Sequence, residues 1–182
     1  MPVRNLETPR LILRSFQDAD LDAFAAYRDD PQVARYQGWK MPYTRAMAGA
    51  FIAEMKESLP ARGNAWYQYA LERKTIPGLI GDVAFHLLAE DFHQAEIGFT
   101  LAAPYQGQGF AREAVGRLLG FLFNDLRLHR VTAGCDTRNE RSYRLMEHLG
   151  MRREAYFLES FQQQDAWGSE YRYAILRNEY SG

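Results

Sequence analysis

The stretch "APYQGQGFAREAVGRLLGFLF", Ala103–Phe123, decides how this chain is read. Two glycines, Gly107 and Gly109, stand in a polar turn. Apolar residues at helical spacing follow at once: Ala114, Leu118, Phe121 and Leu122. A Gly-x-Gly turn that opens a helix serves either of two ends. It makes a tight strand-to-helix connection, or it lets backbone N–H groups approach a phosphate with no Cβ in the way. The turn alone does not choose between them.

The flanking sequence supplies the context. Upstream, "QAEIGFTL" (Gln94–Leu101) alternates, with Ala95, Ile97, Phe99 and Leu101 on one side and Gln94, Glu96, Gly98 and Thr100 on the other. Gly98 is a position for a bulge or a close backbone approach. Before it, "AWYQYALE" (Ala65–Glu72) and "LIGDVAFHLL" (Leu79–Leu88) read as a hairpin around Pro77-Gly78.

Nearer the start, "RLILRS" (Arg10–Ser15) reads as a strand. Asp18 or Asp20 caps a helix with inner face Leu21, Phe24, Ala25 and Tyr27. Asp30-Pro31 starts a short helix. Thr44 opens a longer one, with Met47, Phe51, Ile52, Met55 and Leu59 on one face and Pro60–Asn64 closing it.

Downstream, "RVTAGCD" (Arg130–Asp136) is a strand and Asn139–Gly150 a helix with a glycine stop. Strands from Met151 and over Glu170–Leu176 form a hairpin around "QQQDAWGS". Early helices, an antiparallel run and one local crossover give an α+β fold.

Bulk properties narrow the function classes. The 182 residues fit one domain, 1–182, and 47% hydrophobic with 25% charged residues is the composition of a soluble globular protein. A net charge of -1 provides no footprint for nucleic acid or an anionic membrane. No apolar run approaches a membrane span, and "MPVRNLETPR" carries no apolar signal region, so a cytoplasmic location is expected. Cys135 is alone and forms no internal disulfide. His86, His93, His129 and His148 are scattered without ligand spacing, so no metal is expected.

The motifs now carry a resemblance. Gln106-Gly107-Gln108-Gly109-Phe110-Ala111 matches the Gln/Arg-x-x-Gly-x-Gly/Ala signature, and Asn139, Ser142 and Leu149-Gly150 follow in order, with Met151 where Phe is usual. The chain resembles the GNAT superfamily of acetyl-CoA-dependent N-acetyltransferases. Its opening "LETPRLILRSFQDADLDAF" and closing "YRYAILRNEY" are similar to the RimJ/RimL-like branch, so the resemblance covers nearly the whole chain. It implies a mixed, mostly antiparallel sheet of about seven strands with about four helices, splayed between the fourth and fifth strands.

The resemblance also implies roles. Gln106, Gly107, Gln108, Gly109, Phe110, Ala111 and Arg112 bind the pyrophosphate of acetyl-CoA, mainly through backbone N–H groups. Phe99, Thr100 and Leu101 pair with the pantetheine arm like an added strand. Asn139 caps its helix and binds a pantetheine amide.

The reaction is attack by a neutral primary amine on the thioester, with coenzyme A leaving as thiolate. Many family members protonate that thiolate with a Tyr, but the corresponding position here is Met146. The branch has a Ser instead, here Ser142, which can relay a proton. Tyr143 points about 100° away on the helix and is no simple replacement. Glu96, Glu159 or water takes the amine's proton. Tyr36, Gln37, Trp39, Trp66 and Tyr67 fall in range of the acceptor cleft, where aromatics bind a cationic or flat acceptor; core packing explains them equally.

The acceptor is a protein N-terminus or a small amine. Two readings stand beside this one. The missing acid at Met146 motivates a GNAT-fold acyl-CoA sensor or scaffold without turnover. A nucleotide-binding loop lacks the Lys-Ser/Thr that should follow its glycines. Dimers are common among proteins of this kind, so a homodimer is compatible with the sequence.

Overall fold

The computed structural model describes residues 4–58, 65–88, 91–163 and 166–181. Its described strands form one mixed sheet in the order β1-β2-β3-β4-β5-β6-β8-β7. The strands are β1 (Leu6–Glu7), β2 (Leu11–Arg14), β3 (Tyr67–Arg73), β4 (Leu79–Leu88), β5 (Asp91–Leu101), β6 (Arg130–Asp136), β7 (Arg152–Gln163) and β8 (Ala166–Leu176). The helices are α1 (Leu21–Arg28), α2 (Pro31–Ala34), α3 (Arg45–Glu57), α4 (Phe110–Gly120) and α5 (Glu140–His148). Among the described residues only β5 and β6 pair in parallel; α4 and a π-turn at Phe121–Asp125 make the crossover between them. This is the α+β architecture that the resemblance implies, with the two-residue β1 beyond the seven strands read from the sequence. The expected splay between the fourth and fifth strands therefore lies between β5 and β6.

Local chemistry starts the helices where the sequence placed them. Asp30 accepts from the Gln32 N–H with Pro31 at the first position of α2, Thr44 accepts from Met47 at α3, and Asn139 accepts from Ser142 at α5. Asp20 does not cap α1 with its side chain. Its carboxylate is bound by the Arg14 guanidinium at 2.8 Å through both oxygens. The Pro60–Asn64 close of α3 lies outside the described residues, as does Gln164–Asp165 of the last turn.

Period-2 alternation sends the two faces of the sheet into separate cores. On one face α4, the π-turn after it and α5 bury Leu118, Leu119, Leu122 and Met146 against Tyr69, Val131 and Tyr173. On the other, α1–α3 bury Phe24, Tyr27, Ile52 and Met55 around Ala70 and Leu79. Each large apolar side chain so buried contributes roughly 1.5–3 kcal/mol. Met47, expected on the inner face of α3, is instead exposed. Gly98 is no bulge: it pairs in register with Ala84, and the register shift falls at Leu87/Leu88. Its missing Cβ faces the Trp66 ring.

Candidate active site

The site begins as a split in the sheet. β5 and β6 are paired only through Gln94–Arg130, Ala95–Val131 and Glu96–Thr132. Beyond Glu96 they part. Ile97–Leu101 stay paired to β4, and Ala133–Asp136 stay paired to β8. The inner edges of both strands border a cleft of about 1340 Å³ that also reaches Gln106–Gly107, Gly109–Arg112, Asn139 and Ser142. The cleft passes through the sheet, since its lining includes the start of α4 on one face and Pro31–Gln37, around α2, on the other.

The glycine turn forms the α4 mouth. Gly107 and Gly109 have φ of 75° and 80°, the left-handed region that non-glycine residues enter only at a cost. Gly109 is the N-cap of α4 and offers no side-chain acceptor, so the first N–H groups of α4 have no capping side chain. That is a donor set suited to a diphosphate.

The turn is held from both sides, by Arg10 outside the cleft and by Gln106 and Arg141 at its lining. Arg10 donates Nη1 to the Gln108 carbonyl at 3.0 Å and Nε to Glu113 at 2.6 Å. Gln106 donates to the Leu101 carbonyl at 2.9 Å and accepts from Arg141 at 2.5 Å, which ties the turn to β5 and α5. Gln108 turns its side chain to the Pro104 carbonyl, leaving its backbone at the turn.

A family profile described as "Acetyltransferase (GNAT) domain" matches residues 10–152. The chain belongs to the GNAT acetyltransferases. It is 32% identical to the uncharacterized N-acetyltransferase YnaD of Bacillus subtilis, over 97% of this chain and 99% of that protein. The crystal structure of a GNAT-family acetyltransferase from Bacillus anthracis superposes with a TM-score of 0.84 at 30% identity, covering 97% of this chain and all 100% of that one. A structure of spermidine N-acetyltransferase from Vibrio cholerae, in complex with CoA and spermine, shares the fold at 22% identity with a TM-score of 0.82 over 96% and 100% of the two chains.

The other expected site residues of this acetyltransferase divide. Phe99, Thr100 and Leu101 border the cleft, as do Tyr36, Gln37 and Ser142. Trp66 is outside the cleft lining; its ring lies tilted by 49° against His86, centroids 4.3 Å apart, on the α2 face beside Gly98. Tyr67 points the other way, as alternation requires, and is buried between Tyr69 and Phe85. Trp39 also leaves the cleft: its indole N–H donates to the Arg28 carbonyl at 3.0 Å and its ring covers the Arg28 guanidinium at 4.2 Å. Both are packing residues, which corrects their placement in the acceptor pocket.

Glu159 sits in a bulge of β7 with φ 46°, exposed and outside the cleft lining. Met146 is fully buried in the α4–α5 core, and the cleft-facing residue on that turn of α5 is Leu145.

Glu96 lies on the α2 face, where Arg172 holds it at 2.7 Å. Arg172 also binds Glu170, a carboxylate the sequence reading missed. Gly134 makes room for it, because a Cβ there would overlap the Glu170 carboxylate. Burial pushes the Glu170 carboxyl above its ordinary value, against the pull of Arg172 and with the Glu96 charge adding to the rise. Arg172 on β8 and Glu170 two residues before it share a face by strand alternation, which is the signal that could have found the pair.

Cys135 lines the cleft beside Ser142. Burial pushes its thiol up to about 11, although the Ser142 hydroxyl pulls it down. At pH near 7.5 this leaves far less thiolate than an ordinary free cysteine has, a loss only partly offset by the greater nucleophilicity of a more basic thiolate. Iodoacetamide should therefore label Cys135 at least about tenfold slower than free cysteine, followed by mass spectrometry of the intact chain. Labelling at the rate of the free amino acid would show the thiol is not held neutral.

Proposed function

We propose that this acetyltransferase moves the acetyl group of acetyl-CoA onto a primary amine by direct attack on the thioester, as a member of the RimJ/RimL-like branch. The observation that carries this reading is the cleft through the sheet, with an uncapped glycine turn at one mouth and α2 at the other. The backbone N–H groups of Gln108–Arg112 bind the pyrophosphate. Phe99, Thr100 and Leu101 offer the unpaired edge of β5 to the pantetheine arm, and Asn139 holds it from α5. The amine enters from the α2 face, past Tyr36 and Gln37, and attacks the thioester carbon. The carbon–sulfur bond then breaks, and Ser142 relays a proton to the departing thiolate. Glu96 takes the amine's proton through water.

Acetyl-CoA titration together with release of free coenzyme thiol in the presence of amines tests the reading. Binding with acetyl transfer supports it; neither binding nor transfer to any amine overturns it. Ser142→Ala should lower kcat at least about tenfold while the KM for acetyl-CoA moves little.

A second reading, an acyl-CoA sensor, rests on Met146, which fills the usual acid position with a core side chain. It requires coenzyme binding without turnover and no change on Ser142→Ala.

A further inference from the structure

The α2 mouth of the cleft is built differently from the α4 mouth. A smaller pocket of about 290 Å³ opens there, lined by Pro31, Arg35, Tyr36, Arg138, Gln163 and Ala166. It is continuous with the main cleft, which shares Pro31, Arg35, Tyr36 and Arg138. Its walls come from three separate parts of the chain: α2 with the residues just after it, the link between β6 and α5, and the adjoining ends of β7 and β8 at Gln163 and Ala166. The end of β7 is fastened to the end of α2, since the Gln163 side chain donates to the Arg35 carbonyl at 2.8 Å.

Two guanidinium groups face this pocket. Arg138 lies against Asp136, which accepts from its Nε at 2.9 Å and from its backbone N–H at 2.8 Å. That single buried carboxylate also feels the charge of Arg35. The Arg35 guanidinium rests beside the Tyr36 ring at 5.2 Å, and among the described residues none accepts a hydrogen bond from it. Among the described residues one carboxylate, Asp136, therefore stands against two guanidinium groups, and the Arg35 fork of donors is left at the pocket.

The proposal rests on the transferase reading above and names its acceptor. We propose that the acceptor carries, besides its amine, an anionic group, a carboxylate or a phosphate, which Arg35 and Arg138 bind in the pocket beside α2. The coenzyme's own phosphates do not claim this site, because their cradle lies at the opposite mouth, on the far face of the sheet. A second ammonium on the acceptor would meet the two guanidinium groups and be repelled, so polyamines are disfavoured. Charge-assisted hydrogen bonds to such a group are strong enough to decide between otherwise similar amines.

The test compares glycine, β-alanine and γ-aminobutyrate with their amides, with phosphoethanolamine and with spermidine, as acceptors for the whole chain. The expected result is at least one carboxylate or phosphate amine favoured about tenfold or more in kcat/KM over its uncharged counterpart and over spermidine. The amino acids against phosphoethanolamine tell the two anions apart. Arg35→Ala should abolish the preference and leave the KM for acetyl-CoA unchanged, and Arg35→Lys should restore part of it. Circular dichroism and thermal melting of each variant exclude a folding effect.

A preference for the amides or spermidine, a preference that survives Arg35→Ala, or a raised KM for acetyl-CoA in that variant would overturn the anion site while leaving the transferase standing. Bound acetyl-CoA with no amine of the panel acetylated overturns it as well. Failure to bind acetyl-CoA at all would instead overturn the transferase reading.

Discussion

Gly109→Glu raises the KM for acetyl-CoA on the order of a hundredfold or more, with secondary structure retained. Three effects add at one atom. Gly109 has φ of 80°, and a side chain in that region costs roughly 1–2 kcal/mol. A Cβ there meets Arg10 Nη2 at 3.3 Å, so the arginine that holds the Gln108 carbonyl must give way. The carboxylate then occupies ground prepared for phosphate, and lost hydrogen bonds to a charged group cost about 1.5–3 kcal/mol each. At a factor of ten for every 1.4 kcal/mol or so, the sum reaches a hundredfold with ease. Gly109→Ala separates the contributions, since it has the strain without the charge, and should raise KM only about tenfold. Initial rates of coenzyme thiol release at varied acetyl-CoA measure both. If neither variant moves KM, the turn is only a connection.

What could be read in the sequence follows the range of the forces involved. Helix starts were legible because a cap is a contact within three residues: Asp30, Thr44 and Asn139 all cap as expected. The glycine turn was legible because positive φ selects glycine locally. The split between β5 and β6 was not, because register is set by distant partners; it came from the family resemblance. Aromatic residues were read least well. Period 2 already separates Trp66 from Tyr67, but nothing local tells which face is core. Trp39 looked free to bind a ligand because its partner, Arg28, is a charged residue on the inner face of a helix. The Glu96–Arg172–Glu170 group and the Arg35–Arg138 mouth are likewise joined only by the fold.

Arg28 sets the other large effect. Arg28→Met should lower stability by about 3–5 kcal/mol near neutral pH, the usual result of leaving one partner of a buried ion pair uncompensated. Arg28 and Asp82 are 7% and 3% exposed, with Arg28 Nη2 3.8 Å from the carboxylate. The guanidinium is enclosed by Trp39, Phe24, Phe51 and Tyr43 at 4.2, 4.5, 4.9 and 5.4 Å from the ring centroids. Methionine fills much of this space, so the loss comes mainly from the stranded carboxylate, with the cation–π contacts adding ~0.5–2 kcal/mol.

The pH dependence separates the two contributions. Burial raises the Asp82 pKa, against the pull of Arg28 and the Tyr27 hydroxyl. The folded state thus keeps its proton to higher pH than the unfolded chain, whose Asp titrates near ~3.9. Between those two values the native state binds more protons, so stability falls as pH rises through the window. Removing Arg28 takes away the main group that holds the pKa down, and the window widens upward. The penalty of Arg28→Met should therefore shrink as pH falls and Asp82 takes up its proton. Urea unfolding from pH about 7 down to about 4 measures this. Arg28→Met with Asp82→Asn should recover most of the loss at neutral pH, because the amide keeps an acceptor for Tyr27 without a charge. A loss that is independent of pH and persists in the double variant would mean that the aromatic cage, not the ion pair, depends on Arg28.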